Sequence, residues 1–245
     1  MNARHHVSRR AYLAKVSVSL ALVVMGAGVI PGGRVDAATS SFATDADAGN
    51  NTFSAVFDAA IGERITAVSS GVRCDLTVDE QKVEGSARCW VPLTSIRIDN
   101  DDTKSEHFRQ WATNKKVAPE SCKFELDVPQ VKLSAPVAEG RPVPFTTDGS
   151  FTICGRKRDD HGTERIQGTI VYLPAGSYGE KRTLRVRAHI EGFNRERYGV
   201  SPKDTPGWLS RIQQLAPVVG TEGTIDVSMF VLSLGTSADQ GKTSE

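Results

Sequence analysis

The sequence predicts an all-β fold, in which a sheet either closes on itself or packs as a sandwich. Eight short runs alternate apolar and polar residues with a period of two. Gly, Pro and Asp separate these runs at regular intervals, as turn residues do in all-β proteins. The sequence shows no long helical period and no internal repeat. Strands with one apolar face each, in a sheet with few unpaired edges, are typical of a barrel or a sandwich.

The eight predicted strands follow one another through the middle of the chain. Their bounds are 52–59, 65–78, 85–96, 121–133, 144–154, 164–173, 183–193 and 221–234. Alternation places Val72 and Leu76 on one face of the second strand, and Val91 on the corresponding face of the third. These positions are expected to face the interior.

The two ends of the chain differ from this central region. Residues 1–37 have a basic start, an apolar core and a small-residue exit, which is the pattern of a signal peptide. The pair Arg9–Arg10 resembles the twin-arginine export signal, and a Sec signal is the alternative. Residues 38–51 and 235–245 are polar, and we expect a flexible leader and a disordered tail. The folded domain is therefore predicted to span 52–234.

Charge and cysteine content restrict the compartment and the partners. The whole chain has a net charge of +1 and no basic tail or arginine stripe, which argues against a nucleic-acid partner. All four cysteines lie after the predicted signal, and disulfides persist in the compartments that receive exported proteins. The apolar core of the signal is shorter than the roughly 20 residues that cross a membrane. We expect a periplasmic or extracellular protein whose mature chain has no transmembrane anchor.

The strand register favours one disulfide. If the hairpin after the second strand turns at Gln81–Lys82, Cys74 lies directly opposite Cys89 and near bridging distance. Cys122 opens one strand and Cys154 closes the next, so these two are candidates for a second bridge. Four cysteines allow three connectivities, and buried free thiols are the alternative.

A short helix is predicted after the third strand. Asp101 and Asp102 favour the positive end of a helix, and Thr103 with Glu106 fits a capping box. An apolar stripe follows, formed by His107, Phe108, Trp111 and Ala112. A helix with such a stripe would cover an apolar surface, and in a barrel that surface is an open end.

Four passages together carry a family resemblance, and they are 95–109, 117–124, 149–155 and 219–225. In this order they resemble passages of the YceI-like proteins, a family of secreted bacterial lipocalin-like barrels that bind polyisoprenoid chains. This chain departs from the family pattern with Lys104–Ser105 in place of Arg-Asp, Ala118 in place of Tyr, and Cys154 in place of His. The resemblance implies an eight-stranded antiparallel lipocalin-like barrel with one or two short helices near its open end.

The resemblance also implies a lipid-binding function. The protein would hold a polyisoprenoid or an isoprenoid quinone inside the barrel, for sequestration, transport or stress protection, and it would require no cofactor. The predicted ligand-binding residues are Val72, Leu76, Val91, His107, Phe108, Trp111, Phe124, Leu126, Phe151 and Ile153. The alternative for the apolar members is a dry core, and for His107 it is a hydrogen bond to a neighbouring carbonyl.

A second hypothesis places the function in an exposed loop. In this hypothesis the barrel holds no ligand and binds an envelope protein through residues 192–217, which contain a second predicted helix at 206–215 and Trp208. An enzyme is not expected, because the sequence has no GxSxG, P-loop or dinucleotide fingerprint and its histidines lack metal-ligand spacing. The charged run 155–165 is predicted to be a solvated hairpin turn.

Overall fold

The computed structural model describes residues 39–59, 62–113, 116–174, 176–177, 181–201 and 219–236. All of them belong to one compact unit, which spans Asp36–Glu245. The predicted signal peptide, the predicted helix 206–215 with Trp208, and tail residues 237–245 lie outside the described residues.

The described residues form eleven strands, one α-helix and three 3-10 turns. The strands are β1 (Thr39–Thr44), β2 (Thr52–Ala59), β3 (Arg64–Ser69), β4 (Arg73–Asp79), β5 (Glu84–Pro92), β6 (Arg97–Ile98), β7 (Lys123–Lys132), β8 (Val143–Ile153), β9 (Glu164–Tyr172), β10 (Thr183–Asn194) and β11 (Val219–Thr236). The helix is α1 (Asp102–Thr113), and the 3-10 turns are Leu93–Ser95, Pro119–Ser121 and Arg195–Tyr198.

Eight of the strands close into an antiparallel barrel. Their order is β1-β4-β5-β7-β8-β9-β10-β11, and β11 pairs back with β1. The long strand β11 also pairs with β2 through its first half, and β2 pairs with β3. Because β1 and β2 both pair with β11, they form one long interrupted strand of the barrel. In the same way β3 and β4, which pair with β2 and β1, form a second interrupted strand. The predicted eight-stranded antiparallel barrel is confirmed, and its closure leaves few unpaired strand edges.

One predicted strand is interrupted. The run 65–78 was expected to be continuous, but it breaks between β3 and β4 at a bend around Gly71. The Ser69 hydroxyl accepts a hydrogen bond from the Gly71 N–H at 2.9 Å and lies 2.7 Å from the Ser95 hydroxyl. A Cβ atom at residue 71 would lie 2.6 Å from the Ser95 Oγ, so the chain needs glycine at this bend.

The predicted flexible leader is wrong at residues 39–44 and at Asn51. Residues 39–44 form β1, which lies between β4 and β11. Phe42 is 1% exposed, and its ring centroid lies 6.1 Å from that of Tyr172. Asn51 is also buried, and its side-chain oxygen accepts a hydrogen bond from the Phe230 N–H at 2.9 Å. The polar composition of this stretch concealed one large apolar anchor and a strand that tertiary pairing stabilises. At the other end, β11 runs two residues into the predicted tail.

Both disulfides predicted from the sequence are present. Cys74 lies directly opposite Cys89 on the neighbouring strand, with a Cα–Cα distance of 4.0 Å. Cys122 is bonded to Cys154, which joins the start of β7 to the end of β8. The alternative of buried free thiols is therefore wrong.

A cavity at one end of the barrel

Helix α1 begins at Asp102 with a single capping residue. The Asp101 carboxylate accepts a hydrogen bond from the Lys104 N–H at 2.9 Å, as an aspartate does at the N-cap. The predicted capping box of Thr103 and Glu106 is therefore wrong, because the helix starts before Thr103.

Contacts at both ends of α1 hold it across one end of the barrel. Near its start, the buried Ser105 hydroxyl accepts a hydrogen bond from the Ile98 N–H at 2.9 Å. At its end, the carbonyl of the buried Ala112 accepts a hydrogen bond from the Arg156 guanidinium. In between, the Phe108 ring packs on Phe124, with centroids 6.0 Å apart. The helix thus presents its apolar side to the barrel interior, as its stripe predicts.

A cavity of about 500 Å³ lies beneath α1. This volume falls within the range of small-molecule sites, which is about 300–1,000 Å³. Most of its wall is apolar, and the apolar lining residues are Phe53, Ala55, Phe57, Ile65, Ala67, Ile98, Phe108, Trp111, Phe124, Ile153, Phe193, Val200, Val219 and Ile225.

Two facing alanines make part of this space. Ala55 on β2 lies directly opposite Ala67 on β3, and both side chains are buried. Aromatic residues flank the first of them, since Phe53 and Phe57 lie on the same face of β2. A methyl group fills much less volume than the leucine or phenylalanine side chains found elsewhere in the interior, so the pair leaves room in the wall.

Aromatic side chains fill the barrel below the cavity. The Phe151 ring lies 6.2 Å from Phe124 and 5.1 Å from Phe193, measured between centroids. Tyr198 stacks on Phe193 at 5.1 Å with an interplanar angle of 9°. Phe42 and Tyr172 pack against each other further along the interior. Among the described residues, packed rings therefore occupy the interior beyond the cavity.

The predicted ligand-binding residues divide into two groups. Those that line the cavity are His107, Phe108, Trp111, Phe124 and Ile153. Those that belong to the packed interior, away from the cavity, are Val72, Leu76, Val91, Leu126 and Phe151. A Cβ atom at Gly149 would lie only 2.9 Å from the Leu126 Cδ1, which shows how tightly this second region is packed.

Sequence reasoning missed the cavity wall formed by β2 and β3. The alternation of Phe53, Ala55 and Phe57 was visible in the sequence, and it marks an inward face. Nothing in that alternation shows which inward face borders empty space and which is packed. The register of the β2–β3 pair brings Ala67 opposite Ala55, and the sequence analysis did not assign this register.

The rim of the cavity is polar. Lys104, His107, Arg195, Glu196 and Thr221 contribute to its lining. The Lys104 ammonium lies 2.8 Å from the Asp99 carboxylate, and this hydrogen bond raises the pKa of Lys104.

Arg195 is the most buried of these charged groups. Its side chain is 8% exposed. The guanidinium donates hydrogen bonds to the carbonyls of Gly220, Val200 and Val219 at 3.0, 2.6 and 2.8 Å. Burial lowers the pKa of Arg195, because desolvation disfavours the charged form. Among the described residues its carboxylate partner is Glu196, at 3.7 Å.

A hydrogen-bonded network supports the 3-10 turn that carries Arg195. The Tyr198 hydroxyl donates to Glu164 at 2.6 Å, and Arg158 donates to the same carboxylate oxygen at 3.1 Å. Arg158 also donates two hydrogen bonds to Asp160, both at 2.9 Å. Burial, followed by the Glu164 hydrogen bond, raises the pKa of Tyr198. The run 155–165 is thus a turn, as predicted, but its Glu164 end is buried and structural.

His189 lies on the outer wall, away from the cavity. One ring nitrogen lies 2.8 Å from Asp226 and the other lies 2.9 Å from Glu191. Both carboxylates only accept hydrogen bonds, so the ring must carry two protons to satisfy both contacts. The Asp226 hydrogen bond, followed by that of Glu191, raises the pKa of His189. The described residues hold no group of three His, Cys, Asp or Glu side chains arranged for a metal ion.

Comparison with known proteins gives a match in structure and none in sequence. No family model and no curated protein matches this chain. A similar solved structure is a polyisoprenoid binding domain from Saccharophagus degradans implicated in plant cell wall breakdown. The match has a TM-score of 0.51 and 13% identity, and it covers 80% of this chain and 98% of that domain. The chain therefore shares the fold of that domain, which is the fold class expected from the YceI-like resemblance. Within the described ranges, no helix has the length and apolarity needed to cross a membrane.

Proposed function

We propose that the protein is an exported carrier that holds the end of a long apolar molecule, a polyisoprenoid or an isoprenoid quinone, in the cavity beneath α1. The observation that carries this proposal is the cavity of about 500 Å³ with its predominantly apolar wall. The shared fold with a polyisoprenoid binding domain supports the same ligand class. The resemblance to YceI-like proteins in the sequence supports it independently.

The binding energy would come from burial of apolar surface. Each CH₂ group moved from water into the cavity contributes about 0.8 kcal/mol, so one five-carbon isoprene unit contributes about 4 kcal/mol before the cost of ordering the chain. Phe108 and Trp111 would contact the guest from the helix side. Because aromatic residues fill the interior below, the cavity takes one end of a long chain and the remainder extends through the mouth.

This function needs no catalytic group, and we propose that the protein is not an enzyme. The two disulfides support an exported location, because such bonds persist in oxidising compartments. The predicted signal peptide supports export as well, with the twin-arginine route as its more specific form. The alternative hypothesis of an envelope-protein partner depends on loop 192–217, and residues 202–218 lie outside the described part of the chain.

The experiment tests native protein for a bound lipid and lipid-free protein for binding of an added prenol. Protein purified from its host is extracted with organic solvent and analysed by mass spectrometry, and lipid-free protein is titrated with geranylgeraniol by calorimetry. We expect a stoichiometric lipid in the extract and saturable binding in the titration. An empty extract together with no binding of the prenol would contradict the proposal.

A substitution at the facing alanines tests the location of the ligand. Ala67→Phe places a ring in the cavity, and we expect it to abolish prenol binding while the protein stays folded. The matched control is Val68→Phe, which adds a ring one residue further along β3 at a side chain that is 43% exposed. Prenol binding that survives Ala67→Phe would place the ligand elsewhere.

A further inference from the structure

The charged groups around the cavity are predominantly basic. Four ionisable side chains contribute to its described lining, and they are Lys104, His107, Arg195 and Glu196. Three of the four are basic residues, and one is acidic. A purely apolar guest would make no use of this arrangement at the rim of an otherwise apolar cavity.

Arg195 is the most buried of the three basic side chains. Its guanidinium is buried, and buried charges in proteins are normally paired. The three carbonyls that accept its hydrogen bonds satisfy donors but carry no negative charge. The Glu196 carboxylate, at 3.7 Å, is beyond hydrogen-bonding distance and belongs to a side chain that is 49% exposed. The positive charge at the cavity wall is therefore only partly neutralised by the described residues.

Lys104 and His107 lie on the exposed side of the same mouth. They are one helical turn apart at positions i and i+3 of α1, so their side chains project from the same face. The Lys104 side chain is 48% exposed and keeps donors beyond its contact with Asp99. A guest whose apolar part lies under α1 would have its polar end near these groups.

We propose that the ligand carries an anionic head group, a carboxylate or a phosphate monoester, which binds at the basic rim formed by Lys104, His107 and Arg195. This inference rests on the proposed carrier function and narrows its ligand class to apolar chains with an acidic end. Hydrogen bonds between a cation and an anionic oxygen are roughly twice as strong as neutral ones. A neutral quinone or alcohol can also accept a hydrogen bond from these cations, but it lacks the additional Coulomb attraction of a negative charge.

The test compares ligands that share a chain and differ in the head group. Lipid-free protein is titrated at low salt with geranylgeranyl monophosphate against geranylgeraniol, and with palmitate against hexadecanol, each below its critical micelle concentration. We expect the anion of each pair to bind at least about tenfold more tightly, and this preference to decrease as salt is added. Preference in the phosphate pair alone would identify a prenyl phosphate as the source, and preference in both pairs would identify any anionic chain.

Variants then locate the head group. The double variant Lys104→Gln/His107→Gln should reduce the preference for the anion to less than about threefold. Lys132→Gln, at the far end of β7 and exposed, removes one positive charge away from the mouth and should leave the preference unchanged. Arg195→Gln is informative only if circular dichroism shows that it folds, because Arg195 also bonds three carbonyls.

The outcomes separate this inference from the carrier function. Equal binding of the anion and the alcohol, or tighter binding of the alcohol, would overturn the anionic head group and leave the carrier function standing. Binding of neither member of either pair would overturn the carrier function itself. The assignment to this rim would be overturned by a third result. In that result the Lys104→Gln/His107→Gln variant retains the anion preference in full, and a folded Arg195→Gln variant retains it as well.

Discussion

Replacement of Phe42 by alanine tests whether the first strand belongs to the barrel. Phe42 is 1% exposed and lies opposite Leu76 on β4 and Ser233 on β11. Its ring also packs on Tyr172, with centroids 6.1 Å apart. Truncation of a buried phenylalanine costs about 3–5 kcal/mol, and the loss of an aromatic pair accounts for about 0.5–1.5 kcal/mol of such a cost. We expect the free energy of unfolding to fall by about 4 kcal/mol.

The assay is equilibrium unfolding in urea, followed by circular dichroism with the disulfides intact. With a slope of about 2 kcal/mol per molar urea, the midpoint should fall by about 2 M. Val68→Ala is the control, because that side chain is 43% exposed on the outer wall and its loss should cost less than about 1 kcal/mol. If Phe42→Ala costs no more than the control, β1 does not belong to the cooperative fold and the closed barrel described above is wrong.

Two further predictions concern stability. Because the folded pKa of His189 is raised above 6.5, its contribution to stability is complete below about pH 6.5 and is lost as the pH rises through the folded pKa. Urea unfolding across this range should show that the stability difference between wild type and His189→Gln shrinks as the pH rises, and a constant difference would contradict the charged contact. Replacing Cys122–Cys154 by alanines should destabilise the protein by about 0.7 kcal/mol more than replacing Cys74–Cys89, because chain entropy scales with loop length and the separations are 32 and 15 residues. Thermal unfolding of the two double variants measures this order, and the reverse order would show that local packing outweighs loop length.

Local sequence patterns were sufficient to place a strand or a helix where one apolar face determines its orientation toward the interior. Period-2 alternation located β5 and the strands from β7 to β11 to within a few residues, because an inward face must be apolar at every second position. A hairpin turn at Gln81–Lys82 likewise gave the register that places Cys74 opposite Cys89. The stripe that includes Phe108 and Trp111 likewise identified which side of α1 faces the barrel.

Sequence patterns gave the wrong prediction where contacts with residues far away along the chain determine the local structure. The sequence around Phe42 is polar and looked like a leader, but two neighbouring strands pair with it and supply the burial that its composition could not predict. The bend at Gly71 depends on Ser95, which is 24 residues away along the chain. In both cases the stabilising contacts are non-local.

The sequence by itself determined the inward faces and the all-β class, since both follow from alternation along single strands. It also offered Cys74–Cys89 as a candidate pair, which follows from the position of one hairpin turn. Only the tertiary structure decided where the interior is hollow. A cavity exists where small side chains such as Ala55 and Ala67 meet across neighbouring strands, and the interior is solid where rings such as Phe42 and Tyr172 meet instead. Volume is a property of several chain segments brought together, so no single segment of the sequence can specify it.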